Sequence, residues 1–131
     1  MIEATFVVIG DDGEEQRIGP GEPAGGDVVI YDETLYEEDA GNPGYPDKDK
    51  PVGSAHSVCV LTPSRRAIST IVLRLDGPDS VTAHGLLPFN DDDQRVGDGV
   101  IPVTGGTGRF RNFHGEMEVT VVNPHKYRVT G

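Results

Sequence analysis

The feature that most constrains this chain is its punctuation: turn signals recur at intervals of about ten residues, and no stretch carries a helical period longer than a turn. From Val52 onward the apolar runs and the turns alternate plainly. VGSAHSVCVLT (52–62) leads through Pro63-Ser64-Arg65 into RAISTIVLRL (66–75), which reads as a hairpin. Asp76-Gly77-Pro78-Asp79 turns the chain into SVTAHGLLPF (80–89), and an acidic loop, NDDDQRVGDG (90–99), follows. VIPVTG (100–105), a turn region GTGRFRNF (106–113), GEMEVTVV (115–122) and, after Asn123-Pro124, KYRVT (126–130) complete the run. Upstream, IEATFVVI (2–9) and DVVIYDETLY (27–36) read as strands, and the stretches 10–26 and 37–51, rich in acids, Pro and Gly, read as long loops.

About eight short strands joined mostly by tight turns predict an all-β fold, and the meander order favours a closed antiparallel barrel over a sandwich. Glycines inside strands (Gly53, Gly85, Gly99, Gly115) suit the tight coiling of a small barrel. At 131 residues, the chain 1–131 is expected to be a single domain with one core. Two strands, Thr5 to Ile9 and Ile68 to Leu73, are apolar on both faces. A barrel buries only the inner face, so their outer faces need a loop or a neighbouring subunit, and a homo-oligomer is expected.

Charge narrows the function classes. Lys and Arg number 11 against 22 Asp and Glu, a net charge of -11. Such a surface repels phosphate backbones and anionic headgroups, so neither a nucleic acid nor a membrane is expected as partner. Arg65-Arg66 and the looser Arg109 and Arg111 read as turn and strand-edge charges. Cys59 is the one cysteine, so no intramolecular disulfide is possible. The run Ile2 to Ile9 contains Glu3 and lacks a basic lead, unlike a signal peptide; if Met1 is the native start, a cytoplasmic location is expected.

IPVTGGTGRFRNFHGEMEV (101–119) resembles the C-terminal signature shared by the allene oxide cyclase barrel and dirigent proteins: a strand, a Gly-Gly-[Ser/Thr]-Gly turn, an aromatic two residues on, and a glycine in the next strand. Here these are Gly105, Gly106, Thr107, Gly108, Phe110 and Gly115. DVVIYDETLY, PVGSAHSVCVL (51–61) and SVTAHGLLPF resemble further segments of those families in the same order. The glycine turn lacks the Gly-Lys-[Ser/Thr] ending and the following helix of a phosphate-binding loop; it reads instead as a close crossing of the barrel mouth, with Phe110 as plug.

The resemblance implies a hydrophobic lumen with a few polar groups, and cyclisation or stereocontrol steered by that lumen. Of the groups that line the allene oxide cyclase cavity, the cysteine matches Cys59, on a face with Gly53, Ala55 and Ser57 that is either lumen lining or plain packing. The amide position falls on Glu33. Dirigent proteins carry an aspartate pair there, and this chain has Asp32-Glu33, of which alternation lets only one point inward. With Glu33 inward, Tyr31 and Leu35 line the lumen beside it, and a carboxylate in such a place is an acid–base candidate. The first-strand carboxylate is missing, since Thr5 is the one polar group there, and the tyrosine position falls on Leu87.

His56, His84, His114 and His125 have no metal-ligand spacing, and Asp91-Asp92-Asp93 fits no calcium loop, so no metal and no cofactor are expected. The resemblance thus implies a cofactor-free cyclase or stereocontrolling protein acting on a hydrophobic small molecule, with Glu33 or Asp32 as the catalytic carboxylate and Tyr31, Ala55, Ser57, Cys59 and Leu87 around the substrate. The alternative is a non-catalytic carrier of an apolar ligand. The resemblance suggests a trimer, and the lumen is expected to open at the end carrying the 37–51 loop.

Overall fold

The computed structural model describes residues 5–20, 24–90, 95–121 and 125–131. Nine strands form: β1 (Thr5–Ile18), β2 (Val28–Glu38), β3 (Pro46–Leu61), β4 (Arg66–Leu75), β5 (Ser80–Asn90), β6 (Arg95–Val96), β7 (Gly99–Thr107), β8 (Glu116–Thr120) and β9 (His125–Thr130). One 3-10 turn, Gly108–Phe110, is the single helical element among the described residues. Every pairing is antiparallel, in the order β4-β3-β2-β1-β9-β8-β7-β5, and β4 pairs β5 to close the ring. This is the expected eight-stranded closed barrel, with β6 an outlying ribbon on β5.

Inner faces follow alternation. Leu73, Val81, Ala83, Leu87, Ile101, Met117 and Val129 are fully buried in one core cluster. The 3-10 turn delivers Phe110 against Phe6 (ring centroids 5.4 Å apart) and Phe113 (5.6 Å), closing the end of the barrel at which β1 enters.

Two expected loops are largely strand. Residues 10–18 continue β1 and pair with β2 as far as Ile18 with Val28, and β3 begins at Pro46, so 39–45 alone joins β2 to β3. Both extensions carry polar, mostly exposed side chains beyond the apolar lumen. Backbone pairing holds them, and it leaves no apolar period to read.

The β2–β3 hairpin covers one of the two expected apolar outer faces. Lys48 reaches Asp11 (2.9 Å) and Asp12 (2.7 Å) of β1, and Lys126 of β9 reaches Glu38 (3.6 Å). Ile9, in register with Tyr36 on one side and Lys126 on the other, has no exposed surface although it lies outside the core cluster. The other outer face stays open: Val60, Ile68 and Leu86 stand side by side in one row across β3, β4 and β5, all exposed, with Val58 exposed on the same face.

Candidate functional site

β2 settles the acidic pair by alternation. Asp32 points outward and accepts a hydrogen bond from His56 Nδ1 (2.7 Å) on the surface, which corrects its candidacy as a lumen carboxylate. Glu33 points inward with a side chain 1 % exposed. A carboxylate this buried needs donors. It has two, both from β9: the Tyr127 hydroxyl donates to Oε1, and His125 Nδ1 lies 3.0 Å from Oε2.

β2 and β9 are not neighbours; β1 runs between them. The carboxylate crosses because Gly10 is in register with Leu35 on one side and His125 on the other, and has no side chain to block the way. A Cβ there would overlap the Glu33 carboxyl carbon and both its oxygens. Just beyond, β1 slips register: Asp11 pairs with Thr34 and Glu14 with Asp32, so Asp12 and Gly13 together oppose Glu33. That is a β-bulge, with Asp12 in the left-handed region at φ 58°. Gly13 is also sterically required, since a Cβ there would collide with the Tyr31 hydroxyl.

The remaining lining comes from β2 and β3. Tyr31 is half-buried, its ring centroid 5.0 Å from that of His125. Ala55 is buried in register with Glu33, and Ser57, half-buried, is in register with Tyr31. Cys59 is buried further along the same face; burial pushes its thiol up, and a hydrogen bond with Ser69 opposes the shift. Leu87 lies in the core on β5 and is not among the hydrogen-bonding partners of the carboxylate. Among the described residues no group of three or more His, Cys, Asp or Glu is placed to hold a metal ion.

Burial first, then the charge of Glu33 and the bond to it, hold the Tyr127 hydroxyl well above the usual tyrosine range; a bond with Ser57 opposes. Tyr127 is thus a fixed proton donor at neutral pH. Tyr31 is also raised, by burial and then by Glu33, Glu15 and Asp11, with Arg95 acting the other way.

Two further points depart from the sequence reading. The half-exposed residues Tyr31, Ser57 and His125 lie away from the Phe110 plug, whereas the 39–45 turn leaves β2 at the plugged end. The site residues thus lie toward the end of the barrel opposite the 39–45 turn. His125 and Tyr127 were not picked out as site residues. Alternation along HKYRVT does put His125, Tyr127 and Val129 on one face, the signal that points to them.

The eight-stranded closed antiparallel ring is a dirigent-like fold, as the solved structures similar to this chain show. Two pterocarpan synthase dirigent proteins are similar to it, one at TM-score 0.68 and 14% identity, covering 98% of this chain and 84% of that one. The other gives TM-score 0.65 and 16% identity, covering 98% and 90%. A pyocyanin demethylase is similar at TM-score 0.70 and 23% identity, covering 98% of both chains. No family model matches the chain, and no curated protein does.

Proposed function

We propose that this protein is a cofactor-independent catalyst of proton transfer on a hydrophobic small molecule, with His125 as the group that meets the substrate and Glu33 as the carboxylate that holds it. One observation carries the reading: a carboxylate 1 % exposed is bonded to an imidazole 20 % exposed. Glu33 is too enclosed to reach a substrate, while His125 is the solvent-side member of the pair. A carboxylate accepting from Nδ1–H fixes the imidazole tautomer with a lone pair on Nε2 and stabilises the imidazolium that forms when Nε2 takes a proton. Tyr127, bonded to the other carboxylate oxygen, keeps Glu33 aimed at the ring.

The reaction is redox-neutral. Nε2 takes a proton from an acidic O–H or C–H of the bound molecule, the electron pair shifts within the substrate, and the imidazolium returns the proton at a second atom. The net result is an isomerisation or ring closure with no atom gained or lost. Cyclisation of the allene oxide cyclase type, and the stereocontrol that dirigent proteins lend to reactive intermediates, are both chemistries in which an apolar wall orients the substrate. The similar folds titled for a pterocarpan synthase and a pyocyanin demethylase support a small molecule of aromatic type.

A second reading, a carrier that binds without turnover, is favoured by one fact: among the described residues no buried side-chain nitrogen or oxygen lacks a hydrogen-bond partner. Association belongs to the same proposal. The open row of Val58, Val60, Ile68 and Leu86 would be covered in a homo-oligomer, for which the dirigent likeness suggests a trimer.

Trp is absent, so intrinsic fluorescence comes from the four tyrosines, and comparison with Tyr31→Phe isolates the share of Tyr31. A panel of small hydroxylated aromatics, screened by fluorescence quenching and followed by chiral chromatography with mass detection, tests the reading. Isomerised or cyclised product that disappears in His125→Ala supports catalysis. Quenching without product transfers the lead to the carrier reading, and neither quenching nor product ends both.

A further inference from the structure

The bulge opposite Glu33 is held from outside the barrel. Asp12 occupies a left-handed conformation, φ 58°, which costs an ordinary side chain on the order of 1 kcal/mol and persists where surroundings enforce it. Its carboxylate has two partners on the outer surface. The Tyr36 hydroxyl donates to Oδ2 (2.6 Å), and Lys48 Nζ donates to the same oxygen (2.7 Å). Lys48 also stands over the Tyr36 ring, 4.7 Å from its centroid, and pairs with Asp11 at 2.9 Å. Tyr36 comes from β2, Lys48 from the start of β3, and Asp12 from β1, so three strands meet at one oxygen. The pairing holds Asp12 below the ordinary carboxylate range, the Lys48 bond being the largest cause, and raises Lys48 in return.

On the inner side the next residue is Gly13, the one whose missing Cβ leaves room for the Tyr31 hydroxyl. Tyr31 in turn lies against His125, which is bonded to Glu33. The chain of contacts thus runs from an exposed lysine, through the bulge, to the buried carboxylate.

We propose that Lys48 and Tyr36 are positioning residues: by clamping Asp12 from the outer face they fix the Asp12–Gly13 bulge, and the bulge seats Tyr31 against His125 on the inner face of the barrel. The clamp touches no substrate. It acts on the shape of the site through β1, and holds whether the lumen converts its ligand or only carries it; it rests on Tyr31 lining that lumen, not on Glu33–His125 chemistry.

The test reads Tyr31 itself. The phenol titrates in ultraviolet difference absorbance, and subtracting the same titration in a Tyr31→Phe background isolates its step from those of Tyr36, Tyr45 and Tyr127. The groups facing it are Glu33, Glu15, Asp11, Arg95 and His125. Lys48→Met removes a positive charge beside Asp11 and Asp12, which by electrostatics alone would raise the Tyr31 titration further. Release of the bulge does the opposite: Tyr31 gains solvent and its titration falls toward the ordinary tyrosine value. The expected result is a fall in Lys48→Met, restored in Lys48→Arg. If Lys48→Met does not fold, Tyr36→Phe, which removes one donor and no charge, takes its place with the same expected fall. A Tyr31 titration that rises or stays put in the folded variant overturns the clamp and leaves the reading of His125 and Glu33 untouched.

Discussion

Gly10 and Glu33 occupy the same space: the position a Cβ would take on the glycine is filled by the carboxyl group of the glutamate. That vacancy on β1 is what lets a β2 side chain reach donors on β9. Gly10→Ala should therefore dislodge the carboxylate from the Tyr127 hydroxyl and His125 while it stays enclosed. The expected loss is roughly 2–4 kcal/mol, the scale for a buried charged group parted from its donors. Urea denaturation with an unchanged slope checks it. A loss below about 0.5 kcal/mol, the range of an ordinary surface change, would mean Glu33 has another seat.

Tyr127 predicts an alkaline limb in stability. Its folded-state titration is raised, so above the unfolded value of about 10 the unfolded chain sheds a proton that the folded chain keeps. Stability is unaffected below that pH and falls as pH rises through it, by up to about 1.4 kcal/mol per pH unit for each such tyrosine. Tyr31 and Tyr36 are raised as well, so the slope exceeds that of one group. Tyr127→Phe should remove about one group's worth of slope. Denaturation midpoints collected between pH 9 and 11 read the difference directly.

Much of the ring was legible in the chain because the lumen is apolar and the outside is mixed. β4 and β8 show their faces by alternation alone, and the same rule puts Tyr31, Glu33 and Leu35 on one side of β2 and Asp32 on the other. The hairpin extensions were not legible. Residues 10–18 and 46–51 bury little, so no apolar period marks them, and their order comes from backbone pairing with a partner strand. The partners of Glu33 were hidden for a different reason. His125 and Tyr127 lie 92 and 94 residues away, and meeting them requires both the closure of β1 on β9 and a glycine at position 10. Local pattern reports neither.

The two members of the acidic pair should behave differently. Asp32 is 64 % exposed and its partner His56 is 51 % exposed, so Asp32→Asn should leave turnover and the melting temperature as they are. Glu33→Gln keeps the shape but removes the charge that stabilises an imidazolium on His125. It should fold and lose activity by roughly 10²-fold or more, the usual share of a positioned acid–base pair. Equal losses in both variants would remove the distinction between inner and outer carboxylate.

The outer row predicts association. Val60, Ile68 and Leu86 are exposed side by side, and no hairpin folds over them as one does over Ile9. Ile68→Asp, on the outer face of β4, should shift the sedimenting species toward a 14.0 kDa monomer without altering the circular dichroism spectrum. A wild-type protein already monomeric at micromolar concentration would refute the homo-oligomer.

The most direct test of the account is the ring state of His125. In long-range 1H–15N spectra, with the resonance assigned through His125→Gln and recorded at a pH at which the ring is neutral, the wild-type protein should show the imidazole protonated at Nδ1 and bare at Nε2, because Nδ1–H is held by Glu33 at 3.0 Å. Glu33→Gln should loosen that preference and mix the tautomers. A His125 protonated at Nε2 in the wild-type protein, or one indifferent to Glu33→Gln, would contradict the carboxylate–imidazole pair on which the proposed chemistry stands.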